Sequence, residues 1–372
     1  MQMAYDRDNA LNAICPYFTM FPLEYPSRVL RKHAKDNPTV LDPFCGRGTT
    51  LFSARRHNLS VWGIDSSSVA VAIAKAKLAS CKPEEPLAIA ESLINNHGPV
   101  NVPQTRFFRA AFAPKTLRSI CSLREGLLRL DAETDATVVL RAAVLGCLHG
   151  PLSKDLAQAG YFSNQMPRTY ASKPSYAVRY WKEKALKPPK VDVLEVLRRK
   201  LNRIARLTDK SPSPFRQVLL GDSRKTATYS ALPHDQYIVV TSPPYYGMRT
   251  YVQDQWLRNW FLGGPQLVDY RVRGQLEHGG QSAFAKSLGE VWANISKRSL
   301  DTVHMYVRFG TIPSSSVDAK ELFKASLKSS EVDWRIVSVR SAATADLGKR
   351  QAGQMNAKSQ AALEFDFHVE RA

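Results

Sequence analysis

The sequence predicts an α/β fold, in which a doubly wound, mostly parallel sheet ends in an antiparallel hairpin and carries a mainly helical insertion. Three observations predict it. Short apolar runs closed by turn residues recur along the chain, helix-prone stretches separate them, and turns rich in glycine or proline directly follow several of the runs. The runs predict strands at residues 39–41, 61–64, 217–220, 237–240, 303–307, 334–339 and 363–369.

The connections between these strands indicate how they pair. Residues 66–79 are rich in Ala, Val, Ile and Lys and begin with serines that can cap a helix, so we expect the first two strands to be part of a β-α-β unit in a parallel sheet. The last strand alternates apolar and polar residues, and a polar, basic stretch joins it to the strand before it. We expect them to pair antiparallel at the edge of the sheet.

Residues 83–214 interrupt this alternation of strands and helices. They contain helical patterns at 117–130, 136–148 and 191–207, with a stretch rich in Pro, Tyr and Ser between them. We therefore expect a catalytic domain in two parts, residues 1–82 and 215–372. The helical insertion of residues 83–214 is the candidate for target recognition.

Charge and composition restrict the possible partners. The chain of 372 residues has 52 Lys and Arg against 33 Asp and Glu, a net charge of +19, which favours a polyanion such as nucleic acid. It has no apolar run long enough for a membrane span and no apparent leader, so we expect a cytoplasmic protein. The five cysteines lack the spacing of zinc ligands, and no metal is predicted.

A glycine-rich turn follows the first strand at residues 42–50, DPFCGRGTT. At the carboxyl end of a strand in a doubly wound sheet, such a turn exposes backbone amides and a helix N-terminus to a ligand. Gly46 and Gly48 let the backbone approach that ligand closely. The lysine of a phosphate-binding P-loop is missing.

Two carboxylates follow the next two strands. Asp65 ends the second strand, 19 residues after Gly46, where a carboxylate accepts hydrogen bonds from ribose hydroxyls. The alternative role for Asp65 is to cap the following helix. Asp222, with Ser223, follows the third strand. The glycine-rich turn, Asp65 and Asp222 all lie at one edge of the predicted sheet, and together they predict an adenosyl ligand.

The sequence Ser242-Pro243-Pro244-Tyr245 ends the fourth core strand. Two consecutive prolines donate no amide hydrogens and fix φ, so they end the strand in a rigid loop. This loop presents backbone carbonyls, the serine hydroxyl and the tyrosine ring. The alternative is a Pro-Pro turn with a packed tyrosine.

These two motifs together resemble those of the DNA amino-methyltransferase family, whose catalytic tetrapeptide is D/N/S-P-P-Y/F. The resemblance covers about a third of the chain. It implies a class I methyltransferase with a Rossmann-like sheet, S-adenosylmethionine as cofactor, and transfer to an exocyclic amino group of a flipped base. Ser242 and the Pro243 carbonyl would hold the amine, and Tyr245 would stack on the base.

The resemblance also defines a wider set of cofactor residues. Residues 15–22 resemble the family's element that precedes the glycine turn and packs on the methionine part of the cofactor, although a hydrophobic cap on the sheet is an equal alternative. The predicted cofactor-binding residues are Tyr17, Phe18, Asp42, Pro43, Phe44, Gly46, Gly48, Thr49, Thr50, Asp65, Ser66, Asp222 and Ser223.

The serine at the start of the tetrapeptide is commoner in cytosine N4 enzymes of this family, so DNA cytosine is the leading target. Adenine N6, RNA, and a nucleic-acid binder without turnover stay open. The cofactor motif precedes the catalytic motif here, which differs from the commonest arrangement of Ser-Pro-Pro-Tyr enzymes. A restriction or defence-system partner is possible for an enzyme of this kind.

The insertion carries much of the positive charge. Residues 168–216 have 14 Lys and Arg against 4 Asp and Glu, and aromatic side chains lie among them. This mixture is typical of surfaces that meet phosphates and bases, although a solvated helix face has the same appearance. The candidate nucleic-acid-binding residues are Arg168, Lys173, Tyr176, Arg179 and, after the catalytic loop, Arg249.

Overall fold

The computed structural model describes most of the chain with side chains. The described residues are 10–17, 22–96, 100–166, 173–205, 214–247, 252–270, 276–277, 279–300, 302–312, 316–342 and 363–371.

The chain forms two compact units. The helical unit comprises Met1–Tyr17, Lys75–Pro212 and Tyr251–Val272, and the sheet unit comprises Phe18–Ala74, Ser213–Thr250 and Arg273–Ala372. The helical unit thus takes in more than the predicted insertion of residues 83–214. The assignment of that insertion to target recognition stays a prediction.

A single seven-stranded sheet forms the centre of the sheet unit, with the strand order β3-β2-β1-β4-β5-β7-β6. The first five strands are parallel to one another, and β7 is antiparallel to both β5 and β6. This topology confirms the Rossmann-like, doubly wound sheet with an antiparallel terminal pair. The strands are β1 Thr39–Asp42, β2 Val61–Asp65, β3 Arg216–Leu220, β4 Tyr237–Thr241, β5 Val303–Thr311, β6 Arg335–Ser341 and β7 Leu363–Arg371.

Helices connect the strands and make up the described part of the insertion. None of the described helices combines the length and apolar character that a membrane span needs. The helices are α1 Glu24–His33, α2 Thr49–Arg56, α3 Ser68–Leu78, α4 Glu84–Asn95, α5 Arg106–Ala111, α6 Pro114–Leu128, α7 Asp135–Cys147, α8 Pro174–Glu183, α9 Val193–Ala205, α10 Val252–Phe261, α11 Gln281–Arg298 and α12 Ala319–Lys328.

All seven predicted strands are present, and most boundaries agree within one or two residues. The exception is β5, which continues four residues beyond the predicted end at 307 and reaches Thr311. The added residues pair with the first half of β7, so Phe309 faces Phe365 and Gly310 faces Glu364 across the ladder. A pairing partner so far along the chain leaves no local signal at residue 307.

The strand β7 has two different faces. Phe367 and Val369 are buried in an apolar core with Phe309 and Phe323. Glu364, Asp366, His368 and Glu370 lie on the other face, because successive side chains of a strand point to opposite sides. In the ladder these four residues face Gly310, Arg308, Tyr306 and His304 of β5, in that order.

Ion pairs and an aromatic ring offset the energetic cost of burying polar groups on this second face. The buried guanidinium of Arg308 donates to both carboxylate oxygens of Asp366, at 2.7 and 2.9 Å. The ring of Tyr25 in α1 lies 4.4 Å from that guanidinium. A charged group inside a protein is tolerated when it is paired in this way.

We expect Gly48→Ala to destabilise the sheet unit. Gly48 has a φ of +75°, and an added Cβ would lie 2.9 Å from the Cα of Ala74 in α3. The left-handed backbone and the overlap together predict a loss of about 2–4 kcal/mol in the free energy of unfolding. Urea unfolding measures it, with Gly160→Ala as the control because nothing lies within 4 Å of a Cβ there. Equal stability of the two variants would contradict the expected strain.

Candidate active site

Direct hydrogen bonds join the glycine turn to the end of β4, from which the Ser-Pro-Pro-Tyr loop begins. The Thr241 hydroxyl at the end of β4 donates to Asp42 Oδ1 at the end of β1, at 2.6 Å. The Thr50 hydroxyl in the first turn of α2 donates to the Val240 carbonyl, at 3.1 Å. Since β1 and β4 are neighbouring parallel strands, both motifs leave the sheet at the same edge.

Asp42 is the most deeply buried acid of this edge. Its Oδ1 accepts the Thr241 hydroxyl and the Phe44 amide, whereas its Oδ2 has no hydrogen-bond partner among the described residues. Burial raises the pKa of the Asp42 carboxyl to about 6, and the hydrogen bonds oppose that rise. The carboxylate is therefore ionised at neutral pH at a cost to stability.

The glycine turn is fixed to the neighbouring strand and leaves space at one glycine. The Cys45 amide donates to the Ile64 carbonyl of β2 at 2.9 Å. Gly46 has a φ of +50°, and the nearest atom to an added Cβ there would be the Phe44 carbonyl oxygen, 4.0 Å away. The backbone at Gly46 is therefore open to a ligand, as a close approach of cofactor to backbone requires.

Asp65 stabilises the glycine turn from the end of β2. Its Oδ2 accepts the Gly46 amide at 2.9 Å and its Oδ1 accepts the Ser67 amide at 2.8 Å. Burial raises the pKa of the Asp65 carboxyl, and these amides oppose the rise. The helix that follows begins at Ser68 and is capped by Ser67, whose hydroxyl accepts the Ala70 amide, so Asp65 supports the turn before the helix. The Ser66 amide is a third donor to Asp65. An ionised carboxylate offers about four acceptor positions, so three amides leave room for one ribose hydroxyl.

Asp222 and Ser223 stand at the end of β3 in a network with β1 and α11. Arg224 forms a two-pronged ion pair with Asp222, with Nη2 2.7 Å from Oδ2, and hydrogen bonds from Arg224 hold the pKa of the Asp222 carboxyl below its usual value against the effect of burial. The Ser223 hydroxyl donates to the Pro43 carbonyl. The amide group of Asn294 in α11 donates to the Ser223 and Arg224 carbonyls, which ties the loop to the helix.

The tetrapeptide loop is packed in this structure. Ser242 and Pro244 are half-buried, Pro243 is buried, and the Tyr245 side chain is 6% exposed with its ring edge against Phe309. The packed-tyrosine alternative therefore describes this state of the loop. A base reaches the face of this ring only if the loop moves.

Glu364 of β7 is a site residue that the sequence did not reveal. It is buried, with 4% exposure, and both Glu364 and Ser242 are hydrogen-bonded to Tyr245. Burial and the Glu364 carboxylate raise the pKa of the Tyr245 hydroxyl well above its usual value. The hydroxyl therefore stays protonated and is held by the carboxylate. Glu364 stands 119 residues after Tyr245 in the chain, so only the pairing of β7 with β5 brings them together.

The other predicted cofactor residues are placed as follows. Thr49 is buried at the start of α2 and Ser66 is exposed after β2. Tyr17 is half-buried in the helical unit, and Phe18 lies outside the described residues. The cofactor roles of Tyr17 and Phe18 stay predictions.

Within the helical unit, three of the predicted nucleic-acid contacts lie in α8 or directly before it. Lys173, Tyr176 and Arg179 are all exposed, and the Arg179 guanidinium lies 5.7 Å from the Tyr176 ring. Tyr176 and Arg179 are three residues apart on one face of α8, and Lys173 is the residue before the helix begins. Arg168 and Arg249 lie outside the described residues.

Two of the aromatic residues in this region belong to the core. Phe162 and Trp181 are buried, and the Trp181 indole donates to the Gln165 carbonyl at 2.6 Å. Asn164 is also buried, and its side-chain amide donates to the carbonyls of Ala110 and Leu186. The sequence shows the alternation of aromatic and basic residues, but only the fold separates the exposed ones from the core.

Comparison with known proteins supports the interpretation of the glycine turn as the cofactor motif of a methyltransferase. Residues 3–76 match the N6_N4_Mtase family model, described as DNA methylase. The match confirms the resemblance to DNA amino-methyltransferases. Together with the doubly wound fold, this match, which covers less than half of the chain, supports a class I methyltransferase that acts on an amino group of nucleic acid.

Comparisons with curated proteins and with solved structures gave weaker results than the family model. A search of curated proteins found no significant match. Two solved structures of the rRNA methyltransferase aviRa from Streptomyces viridochromogenes align over 96% of this chain and 87% of theirs, at 14% and 13% identity and TM-scores of 0.32 and 0.35. Both superpositions are too loose for any inference about this chain.

We expect Asp42→Asn to remove a pH-dependent cost to stability. The folded pKa of about 6 exceeds the usual 3.8, so the folded chain binds the extra proton and wild-type stability falls as pH rises through this window. Between about pH 5 and about pH 7.5, the stability of the variant relative to wild type should rise by about 1.5 kcal/mol. Urea unfolding at both pH values measures it, and Asp333→Asn at an exposed site is the control. A pH-independent difference would refute the assignment.

Proposed function

We propose that the protein transfers the methyl group of S-adenosylmethionine to an exocyclic amino group of a base in DNA, with cytosine N4 as the favoured atom. One observation carries the proposal most directly. The Asp42–Thr241 hydrogen bond holds the glycine turn and the Ser-Pro-Pro-Tyr loop at one edge of the sheet. A methyl donor on the turn and an amine on the loop then lie within reach of each other.

The turn supplies the cofactor side of the site. The open backbone at Gly46 allows the methyl donor to approach closely, and Asp65 has one acceptor position left for a ribose hydroxyl. When bound, S-adenosylmethionine supplies an electrophilic methyl group. The Oδ2 atom of Asp42 is buried and has no hydrogen-bond partner among the described residues, so it is a further acceptor at this edge.

The loop supplies the substrate side. An exocyclic amine is a poor nucleophile because its lone pair is delocalised into the ring, so acceptors on its hydrogens must favour a pyramidal nitrogen. The Ser242 side chain and the Pro243 carbonyl are the acceptors that the family resemblance implies. The reaction needs no covalent enzyme intermediate, since the amine would attack the methyl group directly. The bond from the methyl carbon to the cofactor sulfur would break as the new bond forms, and the methylated nitrogen would then release one proton to solvent.

A base that reacts in this way must leave the duplex stack, and Tyr245 is the proposed stacking surface. Because its ring is buried and its hydroxyl is held by Glu364, the loop must open for stacking. Glu364 is then a positioning residue that fixes the ring in the closed state. Lys173, which precedes α8, and Tyr176 and Arg179 on α8 are proposed to contact phosphates or bases.

The preference for cytosine rests on the serine at the first position of the tetrapeptide. A restriction or defence-system partner for this enzyme stays a prediction. We expect mass spectrometry of nucleosides, after incubation of DNA or RNA with the protein and S-adenosylmethionine carrying a labelled methyl group, to show labelled N4-methyl-2′-deoxycytidine from DNA and no labelled nucleoside from RNA. N6-methyladenine or a methylated RNA nucleoside would replace the proposed target. Retention of nucleic acid without incorporation would identify a binder without turnover.

Substitutions of Tyr245 separate the ring from the hydroxyl. Tyr245→Ala removes the stacking surface and should lower turnover by about 10-fold to 100-fold, as expected for loss of one base–aromatic stack. Tyr245→Phe keeps the ring and removes only the contacts to Glu364 and Ser242, so its turnover should stay within a few-fold of wild type.

The control for both variants is Tyr270→Ala, at an exposed tyrosine of the helical unit. Thermal melts and cofactor affinity by calorimetry exclude a folding defect, because Tyr245 also packs in the core. An equal loss in the Phe and Ala variants would assign the role to the hydroxyl and refute stacking.

A further inference from the structure

Two histidines and a glutamate meet at the end of β5 that lies opposite the catalytic loop. His304 of β5 faces Glu370 of β7 in the ladder, and His368 lies two residues before Glu370 on the same face. Among the described residues, these three form the one group of His, Cys, Asp or Glu side chains close enough to hold a metal ion together. Their position on the antiparallel pair is remote from the glycine turn in the strand order.

The distances between the three donor atoms fit a tetrahedral metal. His304 Nδ1 lies 3.1 Å from Glu370 Oε1, His368 Nε2 lies 3.3 Å from the same oxygen, and the two nitrogens are 3.4 Å apart. Zinc bonds of about 2.0–2.1 Å at tetrahedral angles separate the ligand atoms by about 3.3–3.4 Å. The triangle is therefore already close to one face of a zinc tetrahedron.

Neighbouring side chains fix the orientation of the donors. The Tyr306 ring stacks on His368, with ring centroids 4.3 Å apart and planes 7° from parallel, and its hydroxyl is 2.8 Å from His33 Nε2. The Arg335 guanidinium lies 2.7 Å from Glu370 Oε2, which leaves Oε1 for the metal. Outer partners of this kind orient metal ligands and sustain their affinity.

From this geometry we propose that His304 Nδ1, His368 Nε2 and Glu370 Oε1 bind one Zn²⁺ ion. The three side chains are 32%, 20% and 18% exposed, so an ion can enter from solvent and a water molecule can complete the tetrahedron. Imidazole and carboxylate ligands suit Zn²⁺. The ion joins β5 to β7 and stabilises the antiparallel end of the sheet. This proposal is independent of the methyl-transfer activity.

The test uses the full chain after removal of metal by a chelator and dialysis. Competition with a chromophoric chelator should show one tight Zn²⁺ site per chain, and Co²⁺ should give the intense visible absorption of a tetrahedral ion. Zn²⁺ should also raise the melting temperature. His368→Gln and Glu370→Gln should each weaken Zn²⁺ binding by at least about 100-fold, more than the loss of an outer partner does.

His234→Gln is the matched control, because His234 is an exposed histidine of the same unit outside the cluster, and it should leave binding unchanged. Circular dichroism establishes that each variant is folded. If a ligand variant unfolds, the Co²⁺ spectrum of the wild-type chain still tests whether the metal site exists. Absence of the tetrahedral Co²⁺ spectrum in wild type, or Zn²⁺ binding equal in wild type and both ligand variants, would overturn the proposal.

Discussion

The hydrogen bond between Asp42 and Thr241 is the interaction on which the arrangement of this edge depends. It connects the ends of two neighbouring parallel strands and so links motifs that are 199 residues apart in the chain. Because the carboxyl group is buried, its ionised form is tolerated only with donors such as the Thr241 hydroxyl and the Phe44 amide. The glycine turn begins at one end of this bond and the proline loop at the other. The position of each motif therefore constrains the position of the other.

Much of this could be predicted from the sequence because the signals are local. A buried parallel strand is a short apolar run, and the residues that end it stand next to it in the chain, so the positions of Asp42, Asp65 and Ser242 followed from the pattern alone. The hydrogen bonds of Asp65 could not be predicted, since a carboxylate after a strand serves a ribose and a helix N-terminus equally well. Nor could the ion pair of Asp222, which depends on how the loop folds back onto Arg224.

What the sequence could not reveal depends on long-range register or on burial. Glu364 reaches Tyr245, and His368 and Glu370 reach His304, only because β7 pairs with β5 in one register. A shift by one residue would turn all three toward the apolar core. Likewise, Trp181 and Tyr176 lie in one aromatic and basic stretch, but the first is core and the second is exposed. Composition cannot predict this difference between Trp181 and Tyr176, because the orientation of the helix about its axis determines which of its side chains face solvent.

The strand order has a consequence for the order of folding. The strand β6 precedes β7 in the chain but lies outside it in the sheet, and it pairs with β7 alone. During synthesis β6 emerges with no neighbour to join, and β5 presents an open edge, until the residues of β7 have left the ribosome. Nascent chains then expose two unpaired strands at once, which is the condition under which chains associate wrongly. A chaperone that covers the open edge of β5 would therefore act between the emergence of β5 and that of β7.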